Sequence, residues 1–237
     1  MKANNKKIAI VQSNYIPWKG YFDIISSADE FIIYDVVQYT KNDWRNRNKI
    51  KTPGGLLWLT IPVRYSGRFG QRICDTEISD TKWSTKHWQS IKTYYSKAAF
   101  FAESDAFLED LYIKAATMTH LSQINSLFIV NICALLGIQT KISFAMDYVL
   151  SGNKNEALIN LLKECGGSEY LSGPAAKGYL DEKLFMDNGI SVRWMNYDGY
   201  PEYQQMHPPF EHGVSIIDML LNLGAVGTRK YMKSFWS

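Results

Sequence analysis

Residues 8–36, IAIVQSNYIPWKGYFDIISSADEFIIYDV, decide the fold of this chain. They begin inside a short apolar run, residues 7–12, whose polar borders are typical of a buried parallel strand. A glycine-containing loop follows, and the pattern then predicts a helix over residues 18–27 and a second strand over residues 30–34. In α/β proteins, a strand that leads through such a loop into a helix presents backbone N–H groups to an anion. The stretch therefore predicts an α/β fold and a binding site at its first loop.

Strands alternate with helices along the rest of the chain, which favours a largely parallel sheet flanked by helices. The periodicity is helical between residues 82 and 136, so we predict a helical insertion there. A polar linker at 151–155 marks the predicted boundary between an α/β domain, 1–150, and a C-terminal α/β portion, 151–237. We expect that portion to pack on the same sheet, which leaves one single domain as the alternative.

Shorter signals predict further elements. Residues 58–64 and 73–78 have the composition of strands, and Pro62 places the first of these near an edge. Residues 174–189 and 215–223 have helical patterns.

Composition limits the class of partner. The chain of 237 residues is 46% hydrophobic, enough to build a sizeable core. The formal net charge is only +3, whereas general nucleic-acid binders carry a pronounced basic face. We therefore expect a small-molecule partner and no nucleic acid.

Cysteine usage and hydropathy indicate the compartment. The three cysteines form no CxxC pair, which argues against a tetrathiolate zinc site, and we predict no metal. No apolar run approaches the roughly 18 residues of a membrane span, and the N-terminus does not resemble a signal peptide. We expect a cytoplasmic protein that does not insert into a membrane. The oligomeric state is left open, with a dimer as one option.

A dense polar cluster follows the second predicted strand, DVVQYTKNDWRNRNKIK at residues 35–51. Turns are usually made of Gly, Pro, Asn or Asp, not of Trp and a row of Arg, so we predict a binding surface for a small anion. The alternative is a solvated loop whose cations pair with Asp43. The candidate substrate contacts in the cluster are Asp35, Gln38, Tyr39, Trp44, Arg45, Asn46, Arg47 and Lys49.

These side chains suit a sugar nucleotide. Arg45, Arg47 and Lys49 can bind a pyrophosphate, since charge-assisted hydrogen bonds contribute about 1.5–3 kcal/mol each. Trp44 or Tyr39 can stack on a nucleobase. The Asp35 and Gln38 side chains can hydrogen-bond to ribose or sugar hydroxyl groups.

A second constellation, HPPFEHGVSIIDML, starts at His207. An imidazole titrates near neutral pH, and a carboxylate partner orients it, so we predict acid–base catalysis with His207 as the base and Glu211 as its orienting partner. His212 is a third catalytic candidate. The spacing matches no recognised zinc motif. The segment also has the composition of a helix start capped by Ser215, and both interpretations can hold together.

His87 shares a predicted helical face with Trp83 and Tyr94. A core stripe with one hydrogen-bonded histidine is the favoured interpretation, and His87 is kept as a candidate substrate contact.

Five blocks carry a resemblance to the WbqC-like protein family: QSNYIPWKGYFDII, DVVQYTKNDWRNRNKIK, WLTIPV, SGPAAKGYL and HPPFEHGVSIIDMLL. The family is bacterial and typically belongs to gene sets for O-antigen and other surface polysaccharides, often beside enzymes that make amino-deoxy sugars. The resemblance implies an enzyme that modifies a nucleotide-linked amino-deoxy sugar. The reaction we expect is acyl or aminoacyl transfer to the sugar amine, with an acyl-CoA or another activated acyl donor.

Residues 8–36 are also similar in layout to the opening of HxGH nucleotidylyltransferases, which implies a Rossmann-like fold of the HUP type. Gly20-Tyr21 stands at the Gly-His position, and Trp18 replaces the first histidine. The loop adds Gln12, Trp18 and Gly20 to the candidate substrate contacts. Two alternative functions stay open: a nucleotidyltransferase or ATP-dependent ligase with a degenerate loop, and a noncatalytic sugar-nucleotide-binding partner of a glycosyltransferase.

Overall fold

The computed structural model describes residues 5–236 of the chain. In chain order the strands of this part are β1 (Lys7–Val11), β2 (Glu30–Ile33), β3 (Arg47–Thr52), β4 (Gly55–Thr60), β5 (Lys141–Phe144), β6 (Glu169–Ser172) and β7 (Ser191–Trp194). The helices are α1 (Lys19–Ser26), α2 (Trp83–Tyr95), α3 (Phe101–Ala115), α4 (Leu121–Leu135), α5 (Asn155–Glu164), α6 (Glu182–Asp187) and α7 (Ile216–Lys230).

Five strands form one parallel sheet in the spatial order β5-β2-β1-β6-β7. Counted along the chain these strands are 3-2-1-4-5, which is the order of Rossmann-type sheets. The chain builds outward from β1 to β5 and then returns to the other side of β1, so the topological switch point lies between β1 and β6. The predicted α/β fold with a largely parallel sheet is confirmed.

The sheet is covered on both faces, as alternation along β1 requires. Ile8 and Ile10 pack with apolar residues of α5 and α6. Ala9 faces the opposite layer and packs with residues of α1, α4 and α7. The larger core lies on this second face, which the insertion between β2 and β5 extends.

The C-terminal portion shares the sheet of the first part, because β6 pairs with β1 from Lys7 opposite Glu169. The predicted ranges run from 1 to 237, and residues 1–4 and 237 lie outside the described part. No helix within residues 5–236 is long and apolar enough to cross a membrane.

The composition of the polar cluster suggested that it is more than a connection, and the structure shows that it contains β3. This strand forms an antiparallel hairpin with β4, with Lys49 opposite Trp58. Asn and Lys are depleted in strands, and the buried face of β3 carries Asn48 beside Ile50, so no apolar alternation marks it. The strand predicted at 58–64 belongs to this hairpin and ends at Thr60.

One other element prediction was wrong, because residues 73–78 contain a 3₁₀ turn, Ile73–Asp75, rather than a strand. The helix predicted within residues 174–189 is α6, and a 3₁₀ turn, Pro174–Gly178, precedes it.

The last helix continues past its predicted end. Gly224 interrupts α7 with a φ of 66°, where a Cβ would lie 2.6 Å from the Phe100 ring. Ser215 caps the first turn, as predicted, and its Oγ accepts from the Ile217 N–H at 3.2 Å.

Candidate functional site

A cavity of about 340 Å³ lies beside the carboxyl end of β1. Two indole rings, two amide side chains, a proline and a glycine line it: Asn14, Pro17, Trp18, Trp44, Asn48 and Gly213. We call this cavity the cleft. Its volume falls in the range of ~300–1,000 Å³ found for small-molecule pockets, and ligands of open α/β sheets bind at this edge near the switch point.

The cleft joins three segments that are far apart in sequence. The Tyr15 N–H donates to the Trp44 carbonyl at 3.0 Å. The Asn48 side chain donates to the Tyr15 carbonyl at 3.1 Å, so the polar face of β3 holds the first loop. The Ile216 N–H donates to the Pro17 carbonyl at 2.9 Å and fixes the start of α7 on the same loop.

One side of the cleft carries aromatic rings and cations. Trp44 and Trp58 are 42% and 40% exposed, with ring centroids 5.4 Å apart. The Arg47 guanidinium carbon lies 4.3 Å from the Trp58 ring centroid. Lys49 Nζ lies 5.8 Å from both indole rings. Within residues 5–236 neither cation forms an ion pair, so both charges are available to an anion.

Trp58 was not among the predicted contacts. It is opposite Lys49 in the hairpin register, so recognising β3 would have found it.

Arg45 has a different environment from its neighbours in the cluster. Its guanidinium donates to the side-chain oxygens of Gln12 and Asn14, and it lies 3.7 Å from the Asp43 carboxylate. Arg45, which was predicted to bind a pyrophosphate, therefore binds Gln12, which was predicted to contact the substrate. Their hydrogen bond stabilises the loop after β1.

Asp35 is only 2% exposed and holds the ends of β1 and β2 together. It accepts from the Ser13 N–H at 2.7 Å and from the Ser13 hydroxyl at 2.6 Å. Ser122, in α4, donates to the same carboxylate, and Asn125 donates to the Ser13 hydroxyl at 2.9 Å. Both carboxylate oxygens are used inside the protein, which argues against the predicted contact with substrate hydroxyls.

Three more predicted contacts lie away from the cleft lining. Tyr39 is buried, and desolvation raises its pKa to about 12, so Trp44 is the ring of this cluster that is open to a base. Asn46 is buried and donates to a backbone carbonyl at 2.9 Å. Gln38 is exposed and forms a bridge with Arg72.

His87 belongs to the core, as the favoured interpretation of its helical face holds. Its Nδ1 lies 2.9 Å from the Tyr15 hydroxyl, and its ring centroid lies 5.3 Å from that of Trp83. Burial lowers its pKa to about 4, so the ring is neutral. A neutral, hydrogen-bonded ring in the core does not support the predicted substrate contact.

Gly20 admits the indole of its own loop. A Cβ at this position would overlap the Trp18 ring. Trp18 also meets Tyr197 edge to face, with ring centroids 5.2 Å apart. The glycine is therefore required for close packing of Trp18, and the indole covers the surface on which an anion would approach Gly20.

The predicted pair of His207 and Glu211 does not form. His207 Nε2 lies 2.9 Å from the Tyr94 carbonyl oxygen. Glu211 accepts from the Gly213 N–H at 2.7 Å. Within residues 5–236 no hydrogen bond joins His207 to Glu211, so Glu211 shapes the loop at the cleft and does not orient His207.

His212 is the imidazole next to the cleft, because Gly213 lines the cavity. The ring is exposed, and it packs edge to face on Phe210 with centroids 4.6 Å apart. Its Nδ1 lies 2.9 Å from Nζ of Lys19, the first residue of α1. Partial burial and the Lys19 charge lower the pKa of His212, so a neutral ring is favoured at neutral pH.

Lys19 was not predicted as a site residue, although its position carries a signal. A cation at the first turn of a helix meets the positive end of the helix dipole, which disfavours it. Lys19 also stands between Trp18 and Gly20 in an apolar stretch, so a buried role was the better interpretation of this residue.

Two other cavities compete with the cleft. One of about 480 Å³ is lined by Lys7 and Asp29 at the amino ends of β1 and β2 and by residues 193–196 at and after the end of β7, and its lining does not include the loop after β1. Another of about 350 Å³ contains Cys74 and His120. Burial raises the pKa of the Cys74 thiol, and Asp75 raises it further, which disfavours a thiolate nucleophile. Within residues 5–236 no three His, Cys, Asp or Glu side chains group as metal ligands.

The fold and the cleft together define an α/β protein with a cavity at the switch-point edge of a Rossmann-type sheet. The chain belongs to the WbqC-like protein family, whose model matches residues 12–230. It is also 50% identical over 220 residues to the uncharacterized protein Rv1507c of Mycobacterium tuberculosis, which covers 93% of this chain and 95% of that protein. No solved structure matches this chain.

Proposed function

We propose that this protein is an enzyme that modifies a nucleotide-linked amino-deoxy sugar in the biosynthesis of O-antigen or another surface polysaccharide. The proposed reaction is transfer of an acyl or aminoacyl group to the sugar amine, with an acyl-CoA or another activated acyl donor as second substrate. The supporting observation is the cleft, where exposed Trp44, Lys49 without an ion pair and the loop of His212 meet around one cavity.

Binding would use the hairpin side of the cleft. Arg47 and Lys49 would hold the pyrophosphate, since both cations lack a carboxylate partner within residues 5–236. Trp44 or Trp58 would stack on the nucleobase, a contact of about 1–3 kcal/mol. Asn14, in the cleft lining, would contact sugar hydroxyls.

Chemistry requires a proton acceptor near the sugar amine. The amine nitrogen forms a bond to the acyl carbon, the donor's leaving group departs, and the amine loses a proton. His212 replaces His207 as the proposed acceptor. It neighbours the cavity and its Nε2 has no hydrogen-bond partner within residues 5–236, whereas Nε2 of His207 faces a backbone carbonyl.

Of the two alternatives, nucleotidyl transfer on the Gly20 loop has less support. It needs an anion to approach Gly20, and the Trp18 indole lies there. A noncatalytic binding subunit is also compatible with the cleft. It differs from the proposed enzyme because it would bind the sugar nucleotide without forming product.

The test is incubation of the protein with UDP- or dTDP-amino sugars and acyl donors, with detection of the acylated sugar nucleotide by mass. A thermal-shift panel comes first, because a ligand at 100 times its Kd adds about 2.7 kcal/mol of stability. Stabilisation by amino-sugar nucleotides with donor-dependent product supports the enzyme. Stabilisation without product with any donor supports the binding subunit, and stabilisation only by nucleoside triphosphates supports nucleotidyl transfer.

A further inference from the structure

Lys19 lies beneath His212 in an aromatic box. It is only 2% exposed, and its Nζ lies 4.9 Å from the ring centroid of Tyr200, 5.6 Å from that of Tyr203 and 5.7 Å from that of Phe210. Aromatic faces stabilise an ammonium at these distances. The one hydrogen bond that Nζ forms within residues 5–236 is with Nδ1 of His212.

The walls of the box are fixed by two buried carboxylates. Tyr200 donates its hydroxyl to Asp23, and Tyr203 donates to Asp218 at 2.5 Å. Asp23 and Asp218 are themselves fully buried. The Tyr200 and Tyr203 rings are therefore held by carboxylates that form no ion pair with Lys19 within residues 5–236.

The charges around the box decide how readily Lys19 gives up its proton. Burial lowers the pKa of Lys19 to about 8, although Asp218 and Asp23 act in the opposite direction. Glu202 and Glu211 act on His212 and favour its charged form, whereas Lys19 disfavours it. The ionisable groups around the pair from α1, α7, β3, the 200–212 segment and the 3₁₀ turn Lys233–Phe235 are Asp23, Asp218, Lys49, Lys51, Tyr200, Glu202, Tyr203, Glu211 and Lys233.

We propose that Lys19 and His212 form a proton relay, in which Lys19 is a positioning residue that sets which nitrogen of the imidazole carries the proton. An ammonium has no acceptor, so charged Lys19 donates to Nδ1 and restricts the neutral ring to the Nε2–H tautomer. Neutral Lys19 can accept from Nδ1–H, which leaves Nε2 free as a base on the exposed ring.

The inference rests on the proposed function for its chemical use. The sugar amine gives one proton to Nε2 as its nitrogen bonds to the acyl carbon, and the Nδ1 proton passes to the neutral amine of Lys19. The bond from the acyl carbon to the donor's leaving group breaks, and the leaving group departs with its electron pair. The product state is a lysine ammonium beside a neutral imidazole, with no net gain or loss of protons. Activity then requires neutral Lys19 and increases with pH through about 8, whereas an isolated histidine base would reach full activity at lower pH.

The relay is tested without substrate, on the full chain with ¹⁵N-labelled histidine, since the sequence holds only four imidazoles. In the wild type, the His212 nitrogen shifts should show a tautomer change near pH 8 in addition to protonation of the ring at lower pH. Lys19→Met should remove the change near pH 8. Lys19→Arg keeps a permanent charge and should hold the Nε2–H tautomer throughout. His87, His120 and His207 serve as internal controls.

Identical His212 titrations in wild type and both variants would overturn the relay. If Lys19→Met does not fold, Lys19→Arg alone decides, because retention of the inflection near pH 8 with an arginine rules out Lys19 as its source. Loss of coupling without loss of sugar acylation leaves the proposed function standing with His212 acting alone. Intact coupling in a protein that acylates no amino sugar removes the proposed function and keeps the relay.

Discussion

The two edges of the sheet use lysines in opposite ways. At the amino edge, Glu30 is 1% exposed and is bound by Lys6 at 2.6 Å and Lys141 at 2.8 Å. Its remaining capacity is taken by the hydroxyls of Ser143 and Tyr148. At the carboxyl edge, Lys19 and Lys49 lie without an ion pair, as far as residues 5–236 are concerned.

The comparison distinguishes polar groups whose pairing stabilises the fold from polar groups that remain available to a ligand or a reaction. A buried carboxylate needs all its partners, because an unpaired one would cost several kcal/mol. Lys49 lies near two indole rings and has no carboxylate partner within residues 5–236, so its charge is available to a ligand, whereas buried Lys19 contacts the His212 imidazole. Variants of the polar groups at the two edges should therefore differ in kind, with changes in activity at the carboxyl edge and changes in stability at the amino edge.

The largest expected effect is on turnover at the carboxyl edge. His212→Gln should lower kcat by roughly 10²–10⁴-fold, the usual contribution of a general acid–base group. Steady-state kinetics on the acylation reaction measure it. His207→Gln is the matched control and should retain activity within a few-fold. Full activity of His212→Gln together with loss of activity in His207→Gln would show that His207 is the base, as the sequence predicted.

Next comes binding on the hairpin side. Trp44→Ala should weaken sugar-nucleotide affinity by about 1–3 kcal/mol, or about 5- to 150-fold, because an exposed ring for the base is removed. Titration calorimetry gives the Kd. Trp236 is 50% exposed and donates to the Lys230 carbonyl at 2.9 Å, so Trp236→Ala controls for the loss of a surface indole. Equal effects in the two variants would place the base elsewhere.

A third variant tests whether an anion can reach Gly20 in the loop after β1. Gly20→Ala should lower the free energy of unfolding by about 1–3 kcal/mol, since its Cβ overlaps the Trp18 indole and forces repacking. Gly178→Ala, where a Cβ meets nothing within 4 Å, should be close to neutral. Denaturant melts compare them. A Gly20→Ala protein of wild-type stability that loses affinity for nucleoside triphosphates would show that the loop binds phosphate after all.

The smallest effect is expected at the amino edge, and only in acid. Burial raises the pKa of Glu30, but hydrogen bonds from Lys141, Lys6, Ser143 and Tyr148 outweigh it and lower the pKa to about 2. The unfolded chain binds the proton at higher pH than the folded protein, so this stabilisation is present above about pH 4.5 and is lost as the pH falls toward 2.

Glu30→Gln should remove that acid-dependent part, about 1–2 kcal/mol, because Lys141 is 65% exposed and solvent screens the pair. Unfolding at stepped pH measures it. Parallel pH curves for wild type and variant would mean that Glu30 does not titrate in this range. Activity at neutral pH should not change, since the group lies on the edge opposite the cleft.

Much of the frame could be predicted from local pattern. The apolar runs of β1 and β2 and the period of α4 are strong signals, because burial on a sheet or against a helix imposes a regular spacing. The hairpin strand β3 could not be predicted, since its inward face carries Asn48, whose partner is a backbone carbonyl 33 residues away. Polar cores depend on such distant partners and leave no hydrophobic period.

Of the candidate site, the polar cluster and the loop at 207–213 were predicted from the sequence, but which of their side chains already have hydrogen-bond partners inside the protein was not. Asp35 and Arg45 are residue types that are common in substrate sites. In this protein, however, Asp35 is hydrogen-bonded to Ser13, and Arg45 is hydrogen-bonded to Gln12 and Asn14. A side chain's chemistry is visible in the sequence, but whether that side chain is already hydrogen-bonded is not.

The sequence by itself determined the α/β class, the first strand–loop–helix–strand unit and the family, because each follows from spacing and residue type along short stretches. Only the tertiary structure decided which polar groups face the cleft and that Lys19 meets His212 across 193 positions. The physical reason is that burial and hydrogen-bond partnership depend on packing between distant segments. These two properties set both the charge state of Lys19 and its access to His212.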